Sequence, residues 1–374
     1  MPEVDGVRFL AIGIVLFAHL FEAAGLSSGQ LVIVPPFGSI IAATRDPRLV
    51  SSLQYGQVGV YLFFILSGFV LAMPFIRWRV MGGPPVATAA YFLRRATRIE
   101  PPFVLTTLIL FFLSIAIHQG STGAHLVATV AYSHQAVYGQ LSPINGVFWS
   151  LEAEVQWYLV VPLLAVFLCR GTPRERLLSI ALASVGTLVV QVWLGSDVLS
   201  RIALLDNLQF FLMGWLLAEI HIARLRERPR DSAFLDVVGL SCLPLLFVAL
   251  HVHPPSGRVT IPILGTVVIA AALHGRVFKR WLSRKWIAII GGMCYSIYLV
   301  HYPIFVMGGR SIHTHDLMHR YWLWPWYVAV LMFVLLLSAV FFIVVERPCM
   351  DPTWVRRLAS RERSGGATPE DTSR

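Results

Sequence analysis

Ten apolar stretches recur along this chain, at about 7–24, 57–76, 102–118, 148–168, 176–194, 202–220, 234–252, 259–275, 286–309 and 323–346. Most reach the roughly 17–25 residues that a helix needs to cross the hydrocarbon of a bilayer. Only 13% of the 374 residues are charged and 56% are hydrophobic, whereas soluble domains carry about 25% charged residues. A water-soluble core would leave far too little polar surface. The expected fold is therefore an all-α integral membrane protein, a bundle of about ten transmembrane helices.

The net charge of +10 would point to nucleic acid if it were gathered on one face, but it is divided by depth. With the N-terminus placed in the cytoplasm, 23 of the 30 Lys and Arg fall in the inner segments 77–101, 169–176, 221–233, 276–285 and 347–374, and six fall outside. That asymmetry is what the positive-inside rule predicts, and it places both termini in the cytoplasm. No nucleic-acid partner is expected; the lipid bilayer is. The leading MPEVD is acidic and no small-residue cleavage site follows cleanly, so the first stretch reads as a retained span. Residues 1–348 are expected to form one transmembrane domain, and 349–374 a basic, disordered cytoplasmic tail. Cys169, Cys242, Cys294 and Cys349 are isolated, which offers neither a disulfide framework nor a metal site. His315 and His319, in SIHTHDLMH, lack further ligands in sequence and read as solvated loop residues, so no metal is expected.

Ionisable groups inside spans are costly and mark sites or pathways. In DGVRFLAIGIVLFAHL, Arg8 and His19 are eleven residues apart. On a helix that is about 20° beyond three full turns, so both point from one face, about 16 Å apart along the axis. The plainer reading is an arginine snorkelling to lipid phosphates and a histidine bonded to a neighbouring helix. Arg94, Arg95 and Arg98, in YFLRRATRIEPPF, precede the third stretch, with Pro101 and Pro102 expected to restart the chain into the membrane. They are either a stop-transfer anchor or a polyphosphate clamp, since guanidinium forks match phosphate oxygens. In INGVFWSLEAEVQWYLVVPLL, Ser150, Glu154 and Tyr158 recur every fourth residue and share a face. Glu154 needs a partner, for which His19 is a candidate, unless it is only a structural carboxylate; Glu152 points elsewhere. In GGMCYSIYLVHYPIF, Tyr295, Tyr298 and His301 are three apart. The glycines allow close helix packing, and His301 is either part of a site or a bonded histidine on an aromatic face. Ser67 and Gly68 suit a close crossing, and without a GxSxG elbow Ser67 is not read as a nucleophile.

Taken in order, these pieces resemble the integral-membrane acyltransferase family 3. The pattern opens with Asp-Gly-x-Arg, ten residues and a His, here DGVRFLAIGIVLFAH, and continues through VYLFFILSGF, RRATRIEPPF, NGVFWSLEAE, FLMGWLLA, CYSIYLVHYPI and VVERP. The likeness runs from about residue 3 to 348. It implies O-acylation in a bacterial cytoplasmic membrane, with acyl-CoA, commonly acetyl-CoA, as co-substrate. The acceptor it implies is a hydroxyl of an envelope sugar, a glycolipid or a natural product of macrolide type. Arg8 and His19 match the family's essential pair, Arg94, Arg95 and Arg98 its basic motif ahead of the third span, and Glu154 its fourth-span carboxylate. Ser150, Tyr158, Tyr298 and His301 are taken as acceptor-side or structural residues. Cys294 stands where Ser is common, Phe103 where Tyr is common, and Glu100 sets a carboxylate beside the arginines. No fused SGNH-type esterase domain is expected, and on that expectation the chain finishes transfer alone or with a separate extracytoplasmic esterase-type partner. His19 is expected to be the general base, with Glu154 orienting it; an acyl-histidine intermediate is a variant. The rival of another class is a proton-coupled transporter or flippase with Arg8, His19 and Glu154 as relay, which leaves the arginine cluster unexplained.

Overall fold

The computed structural model describes residues 1–27, 47–117, 120–199, 201–227, 231–250, 256–314 and 323–351. Among them the chain is helical, with no strand. The apolar stretches fall, in their described residues, chiefly on helix: α1 Pro2–Ser27, α2 Pro47–Met81 and α3 Thr88–Ala116, then two short helices, α4 Gly123–Val130 and α5 His134–Tyr138. After these come α6 Trp149–Leu168, α7 Pro173–Leu199, α8 Ala203–Glu227, α9 Ala233–Ala249 and α10 Ser256–His274. The short α11 Val277–Leu282 leads to α12 Lys285–Gly292, α13 Cys294–Thr314 and α14 Leu323–Phe341. One turn of π-helix, Phe342–Glu346, and α15 Arg347–Cys349 follow. Among the described residues seven helices are long and apolar enough to cross a membrane, or eight if α12 and α13, bent by 65° at their junction, form one span. The remaining two apolar stretches are α1 and the 17-residue α9. The protein is a multi-pass membrane protein.

Two local expectations change. The helix carrying the arginines starts at Thr88, so Pro101 and Pro102 lie inside α3 rather than at a restart. The inner segment 77–101 is also mostly helix, because α2 continues to Met81 and only residues 82–87 are non-helical. Gly82, at φ +68°, makes the turn, and the Gly83 N–H donates back to the Arg77 carbonyl at 2.9 Å. A left-handed residue after a helix is where glycine costs least.

Packing centres on α2, which lies against α1 and α8. With lipid tails as apolar as leucine, helices associate through close fit rather than hydrophobic drive. At Gly68 a Cβ would collide with the Phe211 carbonyl, and at Gly214 with the Ile65 carbonyl, so α2 and α8 cross through two reciprocal glycines. Trp157 of α6 stacks on Phe211 at a centroid distance of 4.9 Å, filling the space beside that crossing. Gly291 lets α12 press on the Asp5 backbone of α1. By contrast α7 and α14 turn apolar side chains outward, Trp193 at 82% exposure and Leu336 at 66%, as lipid-facing helices do.

Gly214→Leu is expected to destabilise the protein by about 1–3 kcal/mol or more, the usual result of overpacking a close crossing. Gly186→Leu, at a position with nothing within 4 Å of its Cβ, is expected to stay within about 0.5 kcal/mol. Reversible unfolding in mixed detergent micelles reads both; equal effects would contradict the crossing.

Candidate active site

The unbroken α1 keeps Arg8 and His19 on one face, about 16 Å apart at 1.5 Å per residue. Along that face lies a cavity of about 310 Å³, walled by α1, α2, α3, α6 and α13. Arg8, Arg94, Arg95, Arg98, Ser150, Glu154, Tyr158 and Tyr298 all line it, so eight of the ten residues singled out from sequence meet in one space. Val15 also lines it, one turn below His19.

At the Arg8 end the charges are held in different ways. Arg8 donates to Asp5 at 2.7 Å. Arg95 lies over the Tyr91 ring at 3.9 Å and 5.4 Å from that of Tyr158, a cation–π arrangement that fixes its plane. Arg98 stands 3.8 Å from Glu346, which is fully buried. Glu346 in turn accepts from the Ser296 N–H at 3.1 Å and the Ser296 hydroxyl at 2.6 Å. The π-turn aims this carboxylate inward; such turns are frequent at functional sites. Glu100 forms no ion pair with the arginines among the described residues. Four guanidinium groups line this end of the cavity, a chemistry suited to an anion.

The middle of the cavity is a wall of hydroxyls. Ser67 donates to Glu154 at 3.2 Å, and Tyr158, one turn on, donates to the same oxygen. Ser150 and Tyr298 are bonded at 3.0 Å, and Tyr298 donates to the Val147 carbonyl. Tyr295 donates to the Ile99 carbonyl at 2.9 Å. Apolar Val15, Val60, Phe63 and Phe64 are among the residues that line the rest.

His19 lies beyond the other end. Its Nδ1 is 2.8 Å from Oε2 of Glu22, which is 4% exposed. The expected His19–Glu154 pairing is thus not what forms: Glu154 bonds to Ser67 and Tyr158, and His19 uses a carboxylate three residues on along its own helix. The local partner needs no second helix to be aligned. A carboxylate oxygen facing Nδ1 favours the tautomer with the hydrogen there, which in a neutral ring leaves Nε2 as the lone pair. Tyr302 donates to the other Glu22 oxygen at 3.3 Å. The His19 ring is flanked by Tyr302 at 5.0 Å and His301 at 5.3 Å between centroids.

Sequence reading missed Glu22, Glu346 and Ser67 as partners. Only Glu22 had a local signal, the H-x-x-E spacing of HLFE. Glu152 points away from the cavity, as read: it accepts from the Gln135 N–H at 3.2 Å and caps α5. His315 and His319 lie outside the described residues, and among the described ones no three metal-ligating side chains gather.

A family model described as an acyltransferase domain matches residues 1–344. The O-acetyltransferase OatA of Staphylococcus aureus (strain NCTC 8325 / PS 47) is 26% identical over 347 residues, covering 82% of this chain and 51% of the relative. The peptidoglycan O-acetyltransferase OatA of Listeria monocytogenes is 25% identical over 342 residues, 82% of this chain and 50% of the relative. A protein provisionally described as the membrane-bound transacylase BcsY of Komagataeibacter xylinus is 22% identical over 376 residues, 96% of this chain and 86% of the relative. The chain thus spans about half the length of the OatA proteins it matches. No solved structure matches it.

Two outcomes follow from this geometry. Glu346→Ala strips the buried Ser296 N–H of its acceptor and is expected to cost about 1–3 kcal/mol, read as a lowered unfolding midpoint; an unchanged midpoint contradicts the anchoring role. His134, in the segment between α3 and α6, has its pKa lowered by burial. Its folded form favours the neutral ring, so the stability it contributes is lost as pH falls below the unfolded value of about 6.5. Protection of the amides in residues 120–145, taken as exchange rate relative to the unstructured chain at the same pH, should fall between pH 7.5 and pH 5, and less so in His134→Gln.

Proposed function

The chain belongs to the acyltransferase 3 family, and on that premise we propose that it is an O-acyltransferase carrying an acyl group, acetyl in the first instance, from acyl-CoA to a hydroxyl of a cell-envelope glycan. The observation that carries this reading is the His19–Glu22 pair at 2.8 Å, set one helical turn past a cavity whose opposite mouth is lined by four arginines. Arg8, Arg94, Arg95 and Arg98 hold the phosphates of coenzyme A on the cytoplasmic side, where the Lys and Arg bias puts them. The pantetheine arm runs along the apolar wall toward Val15, which brings the thioester up to His19.

There Nε2 of His19 takes the proton of the acceptor hydroxyl as its oxygen attacks the thioester carbonyl. The O–C bond forms, the C–S bond breaks, and the proton passes from His19 to the departing CoA sulfur. Glu22 keeps Nδ1 protonated and stabilises the imidazolium that forms in passing, the part a carboxylate plays in a triad. The hydroxyl wall of Ser67, Ser150, Tyr158 and Tyr298, with Glu154, positions the donor along the path. The relatives named as O-acetyltransferases, one of them of peptidoglycan, support the acetyl group and the envelope glycan. Transfer ends on the outer face of a bacterial cytoplasmic membrane, directly or through a separate esterase-type partner.

Membranes holding the protein, supplied with radiolabelled acetyl-CoA, test this. CoA release with label in a glycan fraction is expected, and His19→Ala should abolish it at equal protein level. Glu22→Gln should lower the rate by about 10²–10⁴-fold, the usual worth of an oriented general base. Arg98→Ala should chiefly raise the KM for acetyl-CoA, since it removes binding shared by ground and transition states. Near-normal turnover in His19→Gln would overturn the general-base role.

A further inference from the structure

One group beside His19 is left over by this scheme. His301 of α13 is fully buried, and its Nδ1 lies 3.0 Å and 2.9 Å from the Ile297 and Tyr298 carbonyl oxygens. Carbonyl oxygens only accept, so Nδ1 carries the hydrogen and Nε2 of the neutral ring is a lone pair. Among the described residues that nitrogen has no partner, and it is out of contact with solvent. Buried acceptors are nearly always satisfied, and an orphan at a site asks for an explanation. Its surroundings narrow the choice. The ring faces His19, Tyr298, Tyr302 and Phe305, and Tyr298 already donates to the Val147 carbonyl.

His19 presents its own Nε2 lone pair as the base, so two acceptor nitrogens lie on imidazoles 5.3 Å apart between centroids, of which that of His301 is the buried one without a donor. A monohydric acceptor supplies one. A polyol with two adjacent hydroxyls supplies both, one to each nitrogen. We infer that His301 binds the hydroxyl neighbouring the one that is acylated, so that the acceptor is a polyol or sugar with a vicinal pair of free hydroxyls. The inference rests on the general-base reading of His19. In it His19 takes the proton of one hydroxyl and His301 only accepts a hydrogen bond from the other, which orients the attacking oxygen over the thioester. His301 is thus a residue of acceptor specificity. A site built to bond a hydroxyl rejects the analogue that lacks it, because its buried acceptor is then left unpaired.

The test uses the full chain in proteoliposomes with acetyl-CoA and two probes, a methyl hexoside with two adjacent ring hydroxyls and its singly deoxygenated analogue. The ratio of kcat/KM for diol over deoxy probe is measured in wild type, His301→Phe and His301→Gln. At least a tenfold preference for the diol is expected in wild type, falling toward one in His301→Phe and partly kept in His301→Gln, whose amide oxygen still accepts. A wild type that uses both probes equally overturns the inference whether or not either variant folds; an ordered water would then fill the lone pair. A preference that survives in His301→Phe also overturns it. Absence of His19-dependent transfer to either probe and to envelope glycan is a different failure, that of the general-base reading itself.

Discussion

The packing of α1 against α2, α12 and α13 is what makes polar groups at two depths of one helix tolerable. A guanidinium and an imidazole facing lipid would each demand water or a partner. Here Gly59 and Gly291 let neighbouring backbones close on α1, so that Arg8 opens into a cavity and His19 meets Glu22 and two aromatic rings. The arrangement of the rest follows. α3 brings three more arginines to the Arg8 end, α6 and α13 supply the hydroxyl wall, and the π-turn after α14 buries Glu346 behind Arg98.

On the proposed reading, the same arrangement separates two kinds of chemistry along one axis. Charged phosphates need cations and access to water; proton transfer to a neutral imidazole needs a dry place with its tautomer fixed. About 16 Å of helix stands between Arg8 and His19, and the cavity reaches to within a turn of the latter. A single rigid helix holds both ends in register, which is how an enzyme gains from orientation without new contacts.

Much of this was legible in the sequence, and the boundary is physical. The shared face of Arg8 and His19, and that of Ser150, Glu154 and Tyr158, depend only on 3.6-residue periodicity within one element, and all but His19 line the cavity. The apolar stretches likewise report their own helices. What failed were statements about which helix meets which. In sequence Glu154 needs a partner and His19 is a candidate for it, yet Ser67 of α2 reaches Glu154 and Glu22 serves His19. Glu346 carries no local mark of its pairing with Ser296 and Arg98, since a π-turn has no distinct residue pattern and the partners lie on other helices. Pro101 and Pro102 also misled: in a soluble chain they would end a helix, but in a membrane helix neighbouring groups re-satisfy the backbone and the helix runs on.

The central claim is that donor binding and acyl transfer occur at opposite ends of one path through the bundle. The most direct measurement is sidedness in sealed, oriented vesicles, with labelled acetyl-CoA confined to the face carrying Arg94, Arg95 and Arg98 and the acceptor confined to the other. The account predicts labelled acceptor on the far side, with CoA left on the donor side and no product when the two compartments are exchanged. Equal transfer with donor and acceptor held together on the arginine face would contradict it.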